Sequence, residues 1–171
     1  MIDNLKVIFD NINNWLKFAE AKNGAIIALN SALIFGVLKL NSTITEQNIF
    51  RDYYISIVIF LLLISSIMAL LSFIPRLSYP YIKFDKPTEK DNLLYFGDIL
   101  KYTPLKYYEK IQIKICEKSD KKDFEMYYIN QIIINSKITF IKFKQFEIAV
   151  WFTLSAFLTP IGGLILYLIR K

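Results

Sequence analysis

Uncharged apolar stretches alternate with mixed polar ones along this chain. Residues 53–75 hold no charged side chain, and neither do residues 148–169. A helix needs about 20 predominantly apolar residues to cross a hydrocarbon core ~30 Å thick, so either run is long enough to span a bilayer. A third uncharged run, Gly24 to Leu38, has 15 residues and is interrupted by Asn30 and Ser31. By length alone it reads as a buried core helix or as a short span. Ala19 and Ala21 extend it backwards, Glu20 and Lys22 fall at its edge, and the next run starts 15 residues after Leu38. It is therefore read as a first transmembrane helix. Ahead of it, Leu5, Ile8, Phe9, Ile12, Trp15, Leu16 and Ala19 repeat at i, i+3, i+4 spacing, opposite Asn4, Asp10, Asn13, Asn14 and Lys17. This predicts an amphipathic helix over 2–19, lying at the membrane interface or packed on a partner.

Residues 39–52 read as a short polar loop. The second span is predicted over 53–74, with Tyr53 and Tyr54 at an aromatic belt and Pro75-Arg76 ending it. Residues 76–147 form a polar insert with 14 lysines and arginines against 10 acids. Within it, Leu93, Leu94, Phe96, Ile99 and Leu100 suggest a short helix. Thr103 as N-cap with Pro104 at the first helical position starts another, running to about Lys118. Ser119-Asp120-Lys121-Lys122 reads as a turn, and Ser119 as a cap for the next helix. No glycine or proline occurs from Asp120 until Pro160. One helix of forty-odd residues, on the order of 60 Å long, should therefore run from the insert into the last apolar stretch and couple the two. Pro160 with Gly162-Gly163 should kink or break that last span and act as a hinge.

The predicted fold class is an all-α membrane protein: three transmembrane helices, a small cytosolic helical insert, and a long helix continuing into the last span. The chain then has three segments: 1–75 with the amphipathic helix and two spans, 76–147 as the insert, and 148–171 as the third span. The loop at 39–52 carries two basic residues against the insert's 14. The positive-inside tendency puts the insert and the N-terminus in the cytosol. Arg170 and Lys171 fall on the opposite side, which leaves room for a re-entrant last segment broken at Pro160. The N-terminal residues lack the short apolar core and small-residue cleavage site of a secretory signal.

The chain contains no histidine and a single cysteine, Cys116. The commonest general base and metal ligand is thus absent, and no intrachain disulfide is available. No phosphate loop, dinucleotide fingerprint, zinc spacing or nucleophile elbow is present. No catalytic residue, metal or cofactor is assigned, and the carboxylates Asp98, Glu109 and Glu117 are spaced like surface-helix charges.

Two constellations remain. Charge rises over Trp15 to Ala25, just before the first span, and Asn30 then lies inside it. Lys22 is placed to snorkel, with Glu20 or Asn23 as a partner. An amide in hydrocarbon is costly without a partner or water, and Asn23 and Asn30, seven apart, share a face. Glu20, Lys22, Asn23 and Asn30 are the pore or gate candidates; the alternative is an interhelical hydrogen bond with no transport role. In the insert, Lys101, Lys106, Lys110 and Lys114 interleave with Tyr102 and Tyr107. Lysines attract phosphates and aromatic rings stack bases, so these six are ligand-binding candidates. A row facing anionic lipid or plain water is the alternative.

The string Trp15 to Asn30, the stretch Asn92-Leu93-Leu94-Tyr95-Phe96-Gly97-Asp98-Ile99 with Lys106-Tyr107-Tyr108, and Tyr128, Ile129, Asn130, Gln131, Ile132, Asn135, Ser136 and Lys142 carry a resemblance. From about Asn13 to the last span, the chain resembles the Pycsar-effector-like transmembrane proteins of bacterial anti-phage defence. The resemblance implies a membrane effector encoded beside a cyclase or nucleotidyltransferase. It implies control by that enzyme's nucleotide second messenger, permeabilisation of the inner membrane, and arrest of the infected cell. The chain departs in having no separate, recognisable cyclic-nucleotide-binding domain. The ligand is then a cyclic mononucleotide, a cyclic dinucleotide or a short oligonucleotide, and it either opens the assembly or holds it shut. The expected partners are that messenger, membrane lipid and further copies of the chain, with a tetramer as first guess. A non-conducting anchor for a cytosolic partner, and a membrane-embedded lipid hydrolase, are the competing classes.

Overall fold

The computed structural model describes residues 1–44, 48–74, 85–115 and 123–169. Its elements are α1 (Ile2–Thr43), α2 (Ile49–Leu71), α3 (Phe96–Ile99), α4 (Pro104–Ile115) and α5 (Asp123–Ile169). Among the described residues there is no strand.

The amphipathic helix and the first span are one helix of 42 residues. No proline interrupts it, and a lone helical glycine such as Gly24 costs only about 1 kcal/mol. α1 also runs deeper into the predicted loop than its polar composition suggests. Ser42 and Thr43 turn their hydroxyls back onto the carbonyls of Lys39 (2.8 Å) and Leu40 (2.7 Å), so their polarity is absorbed within the helix. α2 starts at Ile49 rather than Tyr53. The Asn48 side chain caps it, accepting from the backbone N–H of Phe50 (3.0 Å) and Arg51 (3.3 Å). Thr103-Pro104 opens α4 as predicted, the Thr103 carbonyl accepting from the Tyr107 N–H at 2.9 Å. α5 is the long unbroken helix the sequence predicts, 47 residues or about 70 Å. The predicted turn at Ser119–Lys122, the residues Cys116 and Lys118, and the terminal pair Arg170 and Lys171 lie outside the described residues.

The chain divides into two compact units, residues 1–20 with 75–143 and residues 21–74 with 144–171. Residues 1–20 and 21–74 thus fall in different units. The apolar stripe of early α1 finds its burial in the first unit, where Leu5, Ile8 and Ile12 join Phe96 and Ile99 of α3, Tyr107, Tyr108 and Ile111 of α4, and Ile129, Ile132 and Ile133 of α5. Of the two placements open to the amphipathic helix, the structure shows packing on a partner element. Burying such side chains contributes about 1.5–3 kcal/mol each, which fixes early α1 to the insert.

The second unit is built the other way round. Its buried clusters set alanines beside branched side chains: Ile26, Ala69 and Ala149 in one, Val58, Leu62 and Ala156 in another. Small residues let helices approach closely where lipid offers no hydrophobic driving force. Its large apolar side chains face outward instead, among them Phe35, Phe60, Trp151 and Leu158, each more than 60% exposed. α1 and α2 are each long and apolar enough to cross a membrane. An exterior of this kind belongs in hydrocarbon, and the protein is a membrane protein.

Candidate functional site

Polar groups share the interior of the second unit with its apolar clusters. Asn30 of α1, Ser65 of α2 and Thr153 of α5 are all buried. The Asn30 amide donates from Nδ2 to Ser65 Oγ at 2.8 Å, and its Oδ1 accepts from Thr153 Oγ1 at 2.9 Å. The two hydroxyl oxygens lie 2.8 Å apart, which closes a three-membered ring across three helices. Ser65 has a second outlet, since the Ala149 carbonyl lies 2.7 Å from its Oγ. The amide both gives and receives, so it ties two different helices to α1. In hydrocarbon no water competes for these groups.

Asn23, the other amide on this face, is completely buried in the same unit. Lys22 sets its ammonium 5.2 Å from the centroid of the Phe146 ring, a cation–π contact. Glu20 belongs to the first unit, where it accepts from Lys142 Nζ at 2.9 Å. Lys142 is the more buried partner, its side chain 10% exposed against 44% for Glu20. The four gate candidates thus divide between units, Glu20 in one and Lys22, Asn23 and Asn30 in the other.

A register runs through these contacts. Asn13 accepts from Asn135 at 2.8 Å, so in the first unit both α1–α5 pairs are separated by 122 residues. A constant difference, rather than a constant sum, means that the two helices run parallel. In the second unit the Asn30–Thr153 pair is separated by 123 residues. Ser65, Thr153 and Asn13 carry no weight in the sequence reading. The signal available for the first two was a hydroxyl inside an otherwise apolar run.

The six ligand candidates of the insert do not share one face. Tyr107 is fully buried in the core and donates its hydroxyl to the Leu93 carbonyl at 2.6 Å. Tyr102, 6% exposed, donates to the Thr88 carbonyl at 3.1 Å. Lys101 is held between two carboxylates, Asp91 at 3.0 Å and Asp98 at 2.5 Å. Lys106 and Lys114 are exposed and Lys110 is half-buried. The stripe reading fails for Lys101, Tyr102 and Tyr107 because each has been recruited to close the loop before α3.

That loop has its own electrostatics. Burial works to raise the Asp91 carboxyl, but hydrogen bonds from the Thr88 hydroxyl and backbone and from Lys101 outweigh it and hold the group well below the usual carboxylate range. Hydrogen bonds to Asp98 and then Asp91 push the Lys101 ammonium above its ordinary value. Burial, followed by the neighbouring Asp91, pushes the Tyr102 hydroxyl up to about 12. Burial raises Tyr107 as well.

At the hinge candidates the structure departs from a break. α5 passes through Pro160 as helix. Proline lacks the N–H that would serve the Ala156 carbonyl, and Thr159 Oγ1 lies 3.1 Å from that oxygen while also reaching the Ser155 carbonyl at 2.8 Å. The single Thr159 hydroxyl proton is therefore shared between the Ser155 carbonyl and the freed Ala156 acceptor, with the Ser155 contact the shorter. Gly162 has open space around it, whereas a Cβ on Gly163 would stand 3.2 Å from the Tyr54 hydroxyl. Gly163 serves a close approach of α2, and Gly162 has no such contact.

A family model described as the Pycsar effector protein domain matches residues 4–169. No curated protein and no solved structure matches the chain.

Proposed function

This chain belongs to the Pycsar effector family, transmembrane proteins of anti-phage defence, and on that premise we propose that it is a gated, oligomeric membrane-permeabilising effector. A nucleotide second messenger from a neighbouring cyclase or nucleotidyltransferase controls it through the first unit, either by opening the assembly or by holding it closed. α1, α2 and the apolar end of α5 cross the bacterial inner membrane, with the N-terminus and insert in the cytosol. Three spans enclose no pathway alone, so copies assemble symmetrically, with a tetramer as the working number. The reading requires no catalytic residue.

The observation that carries it is the inverted second unit, with large apolar side chains outside and the Asn30–Ser65–Thr153 ring inside. Intramembrane polar groups cluster where a bundle has work to do. Purified protein in liposomes should release a trapped ion at a rate that a cyclic nucleotide raises or suppresses, and Asn30→Leu should abolish cell killing while expression is retained. Killing undiminished in that variant counts against the gate assignment.

A second reading, a non-conducting anchor for a cytosolic partner, draws on one specific observation. Both polar ends of the Asn30 amide are satisfied within the chain, as a purely architectural node requires. Flux separates the two, since an anchor conducts nothing with or without nucleotide.

A further inference from the structure

With Lys101, Tyr102 and Tyr107 absorbed into the fold of the first unit, a different feature of that unit presents ligand chemistry. A cleft of about 310 Å³ is bounded by Ile8 of α1, the segment Asp91 to Leu94, and Ile111, Lys114 and Ile115 of α4. Its walls are mostly hydrocarbon, with three polar side chains at the margin. That is the composition of small-molecule sites, and the size is near the lower end of their ~300–1,000 Å³ range.

The cleft is preformed. Tyr107 holds the Leu93 carbonyl at 2.6 Å, and Asn11 Nδ2 donates to the Leu94 carbonyl at 3.1 Å. The Leu94 N–H donates to Asn92 Oδ1 at 2.9 Å, and the Asn92 N–H to Asp98 Oδ2 at 3.0 Å. A wall fixed in this way loses little entropy when a ligand arrives. Lys114 is exposed and makes no ion pair among the described residues. Asp91 also borders the cleft, but its carboxylate is already taken up by the Thr88 N–H at 2.8 Å, the Thr88 hydroxyl at 2.7 Å and Lys101 at 3.0 Å, so Lys114 is the charged group of the lining that remains exposed. Lys106, two turns away along α4, is not part of the lining.

We propose that this cleft, and not the lysine row of α4, receives the controlling ligand, and that the ligand is a ring-bearing anion with one nucleoside-sized body. Its anionic group meets Lys114, and its ring lies against Ile8, Ile111 and Ile115. The inference rests on ligand control through the first unit as proposed above.

The test is calorimetric titration of the full chain in nanodiscs with adenosine and uridine 3′,5′-cyclic monophosphates, a cyclic dinucleotide and inorganic phosphate. At least one cyclic monophosphate should bind more tightly than the dinucleotide or phosphate. Lys114→Ala should weaken it about tenfold or more, the scale of a lost charged hydrogen bond. Leu94→Trp, at a side chain 54% exposed and therefore safe for folding, should block it. Lys106→Ala, two turns from Lys114 along α4, should stay within about twofold, as for a distant screened charge. Affinity lost in Lys106→Ala but kept in Lys114→Ala and Leu94→Trp overturns the cleft and leaves ligand control standing. Tighter binding of the dinucleotide overturns the single-body size. If no probe binds and none alters flux, the cleft and ligand control fall together.

Discussion

Replacing Asn30 with leucine removes both bonds of the amide while keeping the same branched side-chain skeleton. The lost interactions are the donation to Ser65 at 2.8 Å and the acceptance from Thr153 at 2.9 Å. Interhelical hydrogen bonds in membranes average ~0.6 kcal/mol each and reach about 1.7, so the pair contributes roughly 1–3 kcal/mol. The lower part of that interval applies, because neither hydroxyl is stranded. Ser65 and Thr153 retain the Ala149 carbonyl at 2.7 and 3.2 Å. A double-mutant cycle with Thr153→Val isolates the shared term, and reversible unfolding in mixed micelles, followed by tryptophan fluorescence, measures it. Non-additivity near or above ~0.6 kcal/mol is expected for contacting partners. Additivity within ~0.3 kcal/mol, the behaviour of independent sites, refutes the ring as an energetic unit.

Two more substitutions have defined outcomes. Thr159→Val leaves the Ala156 carbonyl without its hydroxyl donor beside Pro160, and should destabilise the end of α5 by about 1–3 kcal/mol, read as faster amide exchange there; unchanged exchange removes Thr159 from this role. The depressed Asp91 carboxyl stabilises the fold above its unfolded value of about 4, and this contribution is lost as pH falls through the lower folded value. Asp91→Asn should therefore lower the melting temperature at pH 7, with the gap to wild type closing as the pH drops below about 4; a gap constant with pH contradicts the assignment.

The elements were readable where a local rule had no competitor. Thr103-Pro104 marks the start of α4, and the absence of proline or glycine from Asp120 until Pro160 makes α5 continuous over that length. The joining of early α1 to its span was less visible, because a change from amphipathic to apolar pattern looks the same whether or not the helix bends. Asn30 stood out as an amide among apolar neighbours, but its partners did not. Hydroxyls are common in such helices and usually bond back to their own turn, as Ser66 does to the Leu62 carbonyl at 2.9 Å. Ser65, one residue earlier, reaches across to α1 and α5 instead, and only rotation about the α2 axis distinguishes the two. The lysine row was hidden for a similar reason. Spacing placed Lys106, Lys110 and Lys114 along one side of α4, but it could not foresee that Tyr102 and Tyr107 would turn inward to hold carbonyls of the preceding loop.

The matched numbering of α1 and α5 in the first unit restricts how this protein can change length. A residue inserted between Asn13 and Glu20 would rotate Glu20 by about 100° around α1 relative to Asn13. With Asn13 still on Asn135, the Glu20 carboxylate would then point away from Lys142 and the ion pair between them would be lost. Only a matching insertion in α5 between Asn135 and Lys142 restores the alignment, so within those windows the two helices can be lengthened only as a pair.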